Sequence, residues 1–325
     1  MRTIVHSVRT LVLICTLIIS PTFLFAQSIT TGNGKVEIGL GLGPMFFLGD
    51  LGGHYGEGTT FLKDLNLPYT KFAKGIFVSA YPAEWLGFRF AFNQGKLEGA
   101  DSIINNKGGD EHFRKERNLQ FRSNIWEGYA AIEFYPTVFI EQYDGLQGKI
   151  RPYGILGIGA FHFNPQAPYY APNGTAQWVD LQPLRLEGQG MAEYPDRKPY
   201  KLTQLEIPMG VGFKYYLKEN FYLGLEVLHR KTFTDYIDDV STTYIDNRLF
   251  AKYLTPQQAA MANQLYYRQN FNPVTQTSAG RPTDPQRGNP KQNDAYFSTI
   301  LRMGWRLNSW SSSMAARQMR CPSFY

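Results

Sequence analysis

The sequence predicts an all-β fold, namely a transmembrane antiparallel up-and-down β-barrel of about eight strands. Three observations predict it. Several segments alternate apolar with small or polar side chains, short and long links between them alternate along the chain, and aromatic residues cluster at the segment ends. Of the 325 residues, 15% are aromatic and 18% are charged, which excludes a disordered acidic tail or a basic nucleic-acid-binding arm.

Residues 1–26 are predicted to be a secretory signal peptide. Arg2 and Arg9 make the start basic, residues 11–19 are mostly apolar, and Pro21 and Ala26 precede the expected cleavage. An uncleaved membrane anchor is the alternative, and the short run ending at Pro21 counts against it. Cleavage removes two basic residues and no acidic one, which lowers the net charge from +6 to +4. That charge is too small to indicate a nucleic-acid partner.

The strand pattern is clearest from residue 205 to 217. Leu205, Ile207 and Met209 begin an apolar face, whereas Glu206 and Lys214 lie on the opposite face. A spanning strand needs about 9–11 residues, and no stretch after the leader reaches the roughly 18 apolar residues of a spanning helix. The other predicted strands lie at 36–42, 70–81, 86–92, 119–135, 150–163, 223–228 and 297–305. Within 119–135 the apolar face changes parity, which predicts either a bulge near 123–126 or a strand that rises above the membrane.

The links between strands alternate in length. Links at 82–84, 136–148 and 218–220 are short or moderate, and they alternate with long links near 51–68, 100–117, 165–202 and 234–293. Outer-membrane barrels have short periplasmic turns and long extracellular loops, whereas soluble sandwiches do not sort their loops in this way. The barrel region is therefore predicted to span 27–308, and residues 309–325 to form a short periplasmic C-terminal tail.

Aromatic residues predict the two membrane interfaces. Girdles at both interfaces are typical of membrane barrels. Beside the short turns the predicted girdle comprises Tyr81, Trp85, Phe134, Tyr135, Tyr215, Tyr216, Phe221, Tyr222 and Trp305, and at the other end it comprises Phe46, Phe47, Phe161, Phe163 and Phe233.

Charged residues of the inward parity predict a network in the lumen. An eight-stranded barrel is just wide enough for side chains to fill it, and isolated charges there are costly, so pairing is expected. Five acids and five bases balance, which argues against an open pore. The predicted network is Glu37, Arg89, Glu127, Glu133, Glu206, Lys214, Glu226, Arg230, Arg302 and Arg306.

No motif predicts a catalytic, cofactor-binding or metal site, and no cofactor is expected. The string GLGLGP at 39–44 resembles a phosphate loop but lacks the following helix. His162 or His229 could serve a lipid-modifying enzyme, but nothing nearby completes a nucleophile–base–orienter set. The acidic residues of TDYIDDVST, at 234–242, either bind Ca²⁺ or cap a turn, and their spacing favours the turn.

Two further segments carry predictions. Thr255 and Pro256 predict the start of a helix that runs to about Arg268, followed by a mobile Pro- and Gly-rich run at 272–290. In the tail, Cys321 is the one cysteine left after cleavage. It lies either in a frayed terminus or in a partner-binding tether that docks on a periplasmic protein or forms an intermolecular disulfide.

Six strings in this order are similar to the PorG-like outer-membrane proteins of the type IX secretion system. They are GDLGG (49–53), RNLQFRSNIWE (117–127), RPYGILGIGAFHFNPQA (151–167), WVDLQPLRLEGQG (178–190), TDYIDDVSTTY (234–244) and RGNP (287–290). The resemblance implies an integral outer-membrane barrel without catalysis. It also implies contact with a periplasmic ring of a PorK-like lipoprotein and a PorN-like protein, which supports protein export and, in some cells, gliding motility.

The leading hypothesis is therefore a structural barrel that anchors or contacts a secretion assembly. Its expected partners are outer-membrane lipid and the PorK-like and PorN-like ring proteins. A transport barrel for small solutes is the alternative, and the paired lumen charges argue against it. A lipid-modifying outer-membrane enzyme is the third hypothesis.

Overall fold

The computed structural model describes residues 35–51, 69–104, 111–139, 150–218, 220–269, 271–272 and 286–307. Within these ranges the chain forms a closed antiparallel barrel of eight strands, which confirms the predicted fold class. The predicted signal peptide, the C-terminal tail and Cys321 lie outside the described residues.

The barrel strands follow the alternating segments of the sequence. Around the wall the order is β3-β2-β1-β10-β9-β8-β5-β4, and β4 pairs back with β3 to close the barrel. These strands are β1 (Lys35–Leu48), β2 (Lys71–Ala83), β3 (Leu86–Ala100), β4 (Gln120–Phe134), β5 (Ile150–His162), β8 (Thr203–Lys218), β9 (Phe221–Thr232) and β10 (Ala295–Arg306). A hairpin of β6 (Pro165–Tyr170) and β7 (Ala176–Asp180) extends the sheet beyond β5 and pairs with β4.

The helices lie in the links. They are α1 (Glu111–Arg117), α2 (Arg248–Tyr253) and α3 (Pro256–Leu265), with short 3₁₀ turns at Asp101–Ile103, Pro136–Phe139 and Gln182–Leu184. Thr255 caps α3 through a capping box with Gln258, as the sequence predicts, although the helix ends at Leu265. No helix among the described residues is long and apolar enough to cross a membrane.

The outer wall of the barrel is apolar. Strand side chains alternate between the two faces, so the even or odd set of each strand must face outward. Ile158 is 74% exposed, Phe90 66% and Val211 65%, and further outward-facing side chains are Leu42, Ile76, Leu156, Leu205 and Leu301. The exposed apolar surface forms a wall, because all eight strands contribute to it.

Strand β4 is regular, so the predicted bulge near 123–126 is wrong. It pairs with β3 without a register shift from Gln120 to Phe134. Phe121 and Ile125 are buried in the interior, whereas Trp126 is exposed on the outer wall. The parity changes because the interior itself becomes apolar toward the long-loop end, which agrees with a strand that continues past the polar part of the lumen.

Part of the predicted aromatic girdle lies inside the barrel instead. Tyr81, Tyr135 and Tyr222 are buried in the interior, whereas Trp85 and Trp305 are exposed outside. Adjacent aromatics point to opposite faces of a sheet, so pairs such as 215–216 and 221–222 cannot both face lipid. At the long-loop end the girdle prediction is likewise wrong for three buried residues, Phe47, Phe161 and Phe163.

Within the described residues, the two longest links between barrel strands contain strands, helices and packed turns. We call residues 163–202 and 233–269 the cap, because they cover the long-loop end of the barrel. The β6–β7 hairpin lies in a segment predicted to be a loop. Within the run predicted to be mobile, 272–290, Arg287 and Gly288 are buried and Asn289 is partly buried, whereas Gln286 and Pro290 are exposed.

Candidate functional site: the filled interior and the cap junction

Seven of the ten predicted lumen residues form a continuous chain of ion pairs. At the short-turn end Glu37 lies 2.7 Å from Lys214 and 3.2 Å from Arg306. Lys214 also lies 3.5 Å from Glu133. These residues come from β1, β8, β10 and β4, so the first ion pairs tie opposite walls of the barrel together.

The chain continues through Arg89. Its guanidinium lies 2.5 Å from Glu133 and 2.5 Å from Glu226, and Glu226 in turn lies 2.5 Å from Arg302. Seven charges of alternating sign therefore follow one another without a gap. The Tyr153 hydroxyl donates at 2.6 Å to the Glu226 oxygen that also accepts from Arg89, whereas Arg302 takes the other oxygen.

The other three predicted lumen residues, Glu127, Glu206 and Arg230, form a second group. Arg230 lies 2.5 Å from Glu127, and the Tyr296 hydroxyl contacts Glu127 at 2.8 Å and Glu206 at 2.5 Å. Asn93 donates to Glu127 at 2.6 Å. The structure thus places all ten predicted residues in the interior. Nine are buried, and Arg306 is partly exposed at the mouth of the barrel.

Three tyrosines that the girdle prediction assigned to lipid belong to this network. Tyr81 donates to Glu133 at 2.8 Å, Tyr135 also donates to Glu133, and Tyr216 donates to Glu37 at 3.0 Å. A buried carboxylate has about four acceptor sites, and one cation does not fill them. The tyrosines supply further donors to Glu133 and Glu37. Glu206 departs from the predicted pairing: it accepts from the Tyr296 hydroxyl, but among the described residues it has no ion pair, and its second carboxylate oxygen meets no donor.

Above the charges the interior is apolar and the cap closes it. Tyr200, Ile237 and Val240 of the cap pack in one cluster with interior residues of the strands, including Phe47 and Phe121. A second cluster lies within the cap and includes Leu184, Leu186, Phe250, Ala262 and Leu265. The cap is therefore a packed unit seated in the barrel mouth.

A ring of largely buried polar residues joins the cap to the barrel, and we call it the cap junction: Asp50, Asp101, Arg117, Glu187, Asp235, Asp238, Asp239, Arg287 and Asp294. Arg117 pairs with Asp101 at 2.8 Å and donates to the Asp50 carbonyl at 2.7 Å. The Asp101 carboxylate beside it raises the pKa of Arg117 despite its burial. Arg117 therefore stays charged. It connects its own link, between β3 and β4, with the link that contains Asp50 and, through the Arg287 carbonyl, with the link that precedes β10.

Glu187 and Arg287 form the opposite side of the cap junction. They pair at 2.8 Å, and Glu187 also accepts from the backbone N–H groups of Ser241 and Thr242, each at 2.9 Å. Arg287 donates in addition to the Asp239 carbonyl. The buried Glu187 carboxylate therefore holds both the turn at 241–242 and the Arg287 side chain.

The aspartates of the 234–242 string behave largely as turn residues. Asp238 accepts from the backbone N–H of Leu51 at 3.0 Å and of Val240 at 2.9 Å, and Asp294 accepts from the N–H of Ile237 at 2.8 Å. These contacts agree with the turn interpretation. Among the described residues no three His, Cys, Asp or Glu side chains are placed to hold a metal ion.

Asp235 is the exception in the cap junction. It is buried, and neither carboxylate oxygen meets a hydrogen-bond donor among the described residues. Burial, with Asp50 as the nearest repelling charge, raises its pKa to about 9. Burial also raises the pKa of Asp239 to about 7, although Arg287 and the Tyr200 hydroxyl oppose the shift.

The two candidate histidines lie apart on the outer wall. The His162 ring lies 3.0 Å from the Thr203 hydroxyl, and His229 is opposite Phe297 in the β9–β10 register. Neither is paired with a carboxylate among the described residues.

The strings that carry the family resemblance meet at the cap junction. Asp50, Arg117, Glu187, Asp238 and Arg287 each come from a different string, and Asn289 donates to Asp50 at 2.7 Å. Sequence reasoning missed these residues as one site because the contacting residues are up to 239 positions apart. The available signal was that each of these five strings contains at least one charged residue.

A closed antiparallel barrel with an apolar outer wall and a filled, charge-balanced interior defines the class of β-barrel proteins that includes outer-membrane barrels. More particularly, the chain belongs to the family described as a domain of unknown function, DUF6089, whose model matches residues 15–254. No curated protein matches the chain.

Among solved structures, the chain is similar to three outer-membrane proteins. Ail of Yersinia pestis, solved with the heparin analogue sucrose octasulfate, is 10% identical with a TM-score of 0.36, over 85% of this chain and 100% of that chain. A major outer membrane protein from Thermus thermophilus is 11% identical with a TM-score of 0.38, over 85% and 100%. OprG from Pseudomonas aeruginosa is 9% identical with a TM-score of 0.34, over 85% and 97%.

Proposed function

We propose that this protein is a non-enzymatic outer-membrane component of the type IX protein secretion system, where it anchors or contacts a periplasmic ring of PorK-like and PorN-like proteins. The observation that carries the proposal is the filled interior, which leaves the barrel as an anchor rather than a conduit. The resemblance of the six strings to PorG-like proteins supports the specific assembly.

The outer wall supports a position in the outer membrane. Ile158, Leu205 and Val211 are more than half exposed, and all eight strands of the closed barrel carry exposed apolar side chains. In water this surface would far exceed the apolar patches that monomers tolerate. In a bilayer it is matched to hydrocarbon, and closure leaves no unpaired strand edge.

The lumen network counts against solute transport. A solute path would have to separate Arg89 from Glu133 and Glu226, at pair distances of 2.5 Å. Breaking a buried pair costs about 3–5 kcal/mol. The interior ion pairs therefore favour a static role over the alternative of a small-solute channel.

The geometry of the ends supports a contact on the periplasmic side. β1 begins and β10 ends at the end of the barrel that carries the turn at 83–86, and Glu37 is opposite Arg306 in the β1–β10 register. Leu307, the last described residue, lies at this end, where its N–H donates to the Val36 carbonyl. Cys321 of the predicted tail remains our candidate for a disulfide or docking contact with the ring. If Cys321→Ser does not change the mobility of the chain on non-reducing gels, the disulfide hypothesis is excluded.

The decisive experiment combines deletion with recovery of partners. Deleting the gene should block export of surface proteins, and the full-length chain, supplied again, should restore it. Cross-linking in whole membranes followed by pull-down should recover PorK-like and PorN-like chains. Normal export after deletion would reject the proposal, conductance in planar bilayers would favour the transport alternative, and altered lipid A by mass spectrometry would favour the enzyme.

A further inference from the structure

An apolar groove lies in the outer wall near the short-turn end. It lies over β5 and β8, has a volume of about 480 Å³, and is lined by Pro152, Gly154, Val211 and Phe213, with Leu225 and Val227 of β9 on its far side. Pro136, in the link after β4, borders it at the short-turn end.

The groove exists because β5 lacks bulky outward side chains at this level. Its outward positions are Pro152 and Gly154, and a Cβ added at Gly154 would meet no atom within 4 Å. The residues beside Gly154 in the register are Phe134 of β4 and Val211 of β8, both exposed. Two rows of side chains therefore flank a strip of bare backbone.

The lining indicates a hydrocarbon occupant. The outward-facing side chains of the groove are apolar, so a polar ligand would find no hydrogen-bond partner there. Tyr215, two residues beyond Phe213 toward the short turns, is exposed on the same face. Exposed Trp and Tyr side chains are enriched at the level of the lipid headgroups, which places the groove on the hydrocarbon side of that level.

We propose that this groove binds a single acyl chain of a membrane lipid in the leaflet next to the short turns. The proposal rests on the proposed membrane location. Lipid tails are as apolar as the wall, so burial of apolar surface gives no preference for one site over another. The preference comes from packing, because a chain that lies along Pro152 and Gly154 against the side chains of Val211 and Phe213 contacts more protein atoms than a chain on a flat wall.

The test uses the purified full chain in phosphatidylcholine vesicles that contain phosphatidylethanolamine with a diazirine-bearing acyl chain. After photolysis, mass spectrometry should find lipid attached to peptides covering residues 152–156 and 209–213 above the level of the rest of the wall. Gly154→Leu fills the groove and should reduce this labelling to the wall level, and Gly154→Ala should reduce it partly.

Gly128→Leu is the matched control. Gly128 is an outward-facing glycine of β4 whose added Cβ meets its nearest atom at 3.9 Å, and it lies outside the groove lining. Labelling of the groove peptides should survive this change. Even labelling around the wall, or labelling that Gly154→Leu leaves unchanged, would overturn the proposed acyl-chain site. A folded chain that fails to float with the vesicles would instead reject the membrane location itself.

Discussion

Replacing Arg89 by methionine should destabilise the barrel strongly. Arg89 is fully buried and bridges Glu133 and Glu226 at 2.5 Å each. Removing one partner of a buried pair costs about 3–5 kcal/mol. Because Lys214 still faces Glu133 at 3.5 Å and Arg302 still pairs with Glu226, we expect a loss at the lower end, about 3 kcal/mol in the free energy of unfolding.

The measurement is urea-induced unfolding of the chain refolded in lipid vesicles, followed by tryptophan fluorescence. Arg248→Met is the matched control, because Arg248 pairs with Asp246 at 2.9 Å but its side chain is 87% exposed. An exposed pair contributes about 0–1 kcal/mol. If Arg89→Met lost no more stability than this control, the interior pairs would not hold the walls together as we argue.

Three further outcomes concern the cap. Asp235 has a folded-state pKa of about 9, above its ordinary value of 3.8, so the cap should be most stable below about pH 4 and lose stability as pH rises toward 9. Protection factors from hydrogen exchange of residues 234–242 at pH 5 and pH 8.5 measure this. Asp235→Asn should reduce the difference, and Asp239, whose pKa is raised to about 7, retains part of it. Arg117→Lys keeps the positive charge but loses the planar guanidinium that contacts both Asp101 and the Asp50 carbonyl. Limited proteolysis should therefore cut the cap faster, while the barrel core remains intact. Thr255→Ala removes the α3 cap and should cost about 1 kcal/mol locally, seen as faster exchange at 257–259, and unchanged exchange there would contradict the capping role.

The barrel could be predicted from the sequence because a lipid-facing wall imposes a period of two on every strand. β8 and β10 alternate as predicted, with Leu205 and Leu301 outside and Glu206 and Arg302 inside. The pattern predicted which charges face inward. It could not predict which charges pair, since Glu37 finds Lys214 from a strand 177 positions away through the curvature of the barrel.

The β6–β7 hairpin and the cap were harder to predict. Pro165 and Pro168 interrupt the strand signal of β6, because proline cannot donate to a ladder. Toward the long-loop end the interior becomes apolar, so Phe121 and Ile125 reverse the expected parity of β4. At the cap junction, Arg117 and Arg287 act as a site only after four distant links have packed together.

Strand β10 has a consequence for biogenesis. It is the last strand along the described part of the chain, it forms the seam with β1, and it supplies Ser298 and Arg302 to the partners Arg230 and Glu226. Pairing of β10 with β1 and the neutralisation of Glu226 by Arg302 therefore occur in one step. A nascent chain truncated before residue 295 would carry two open edges and an unbalanced interior, so quality control could distinguish it from the finished cylinder by either defect.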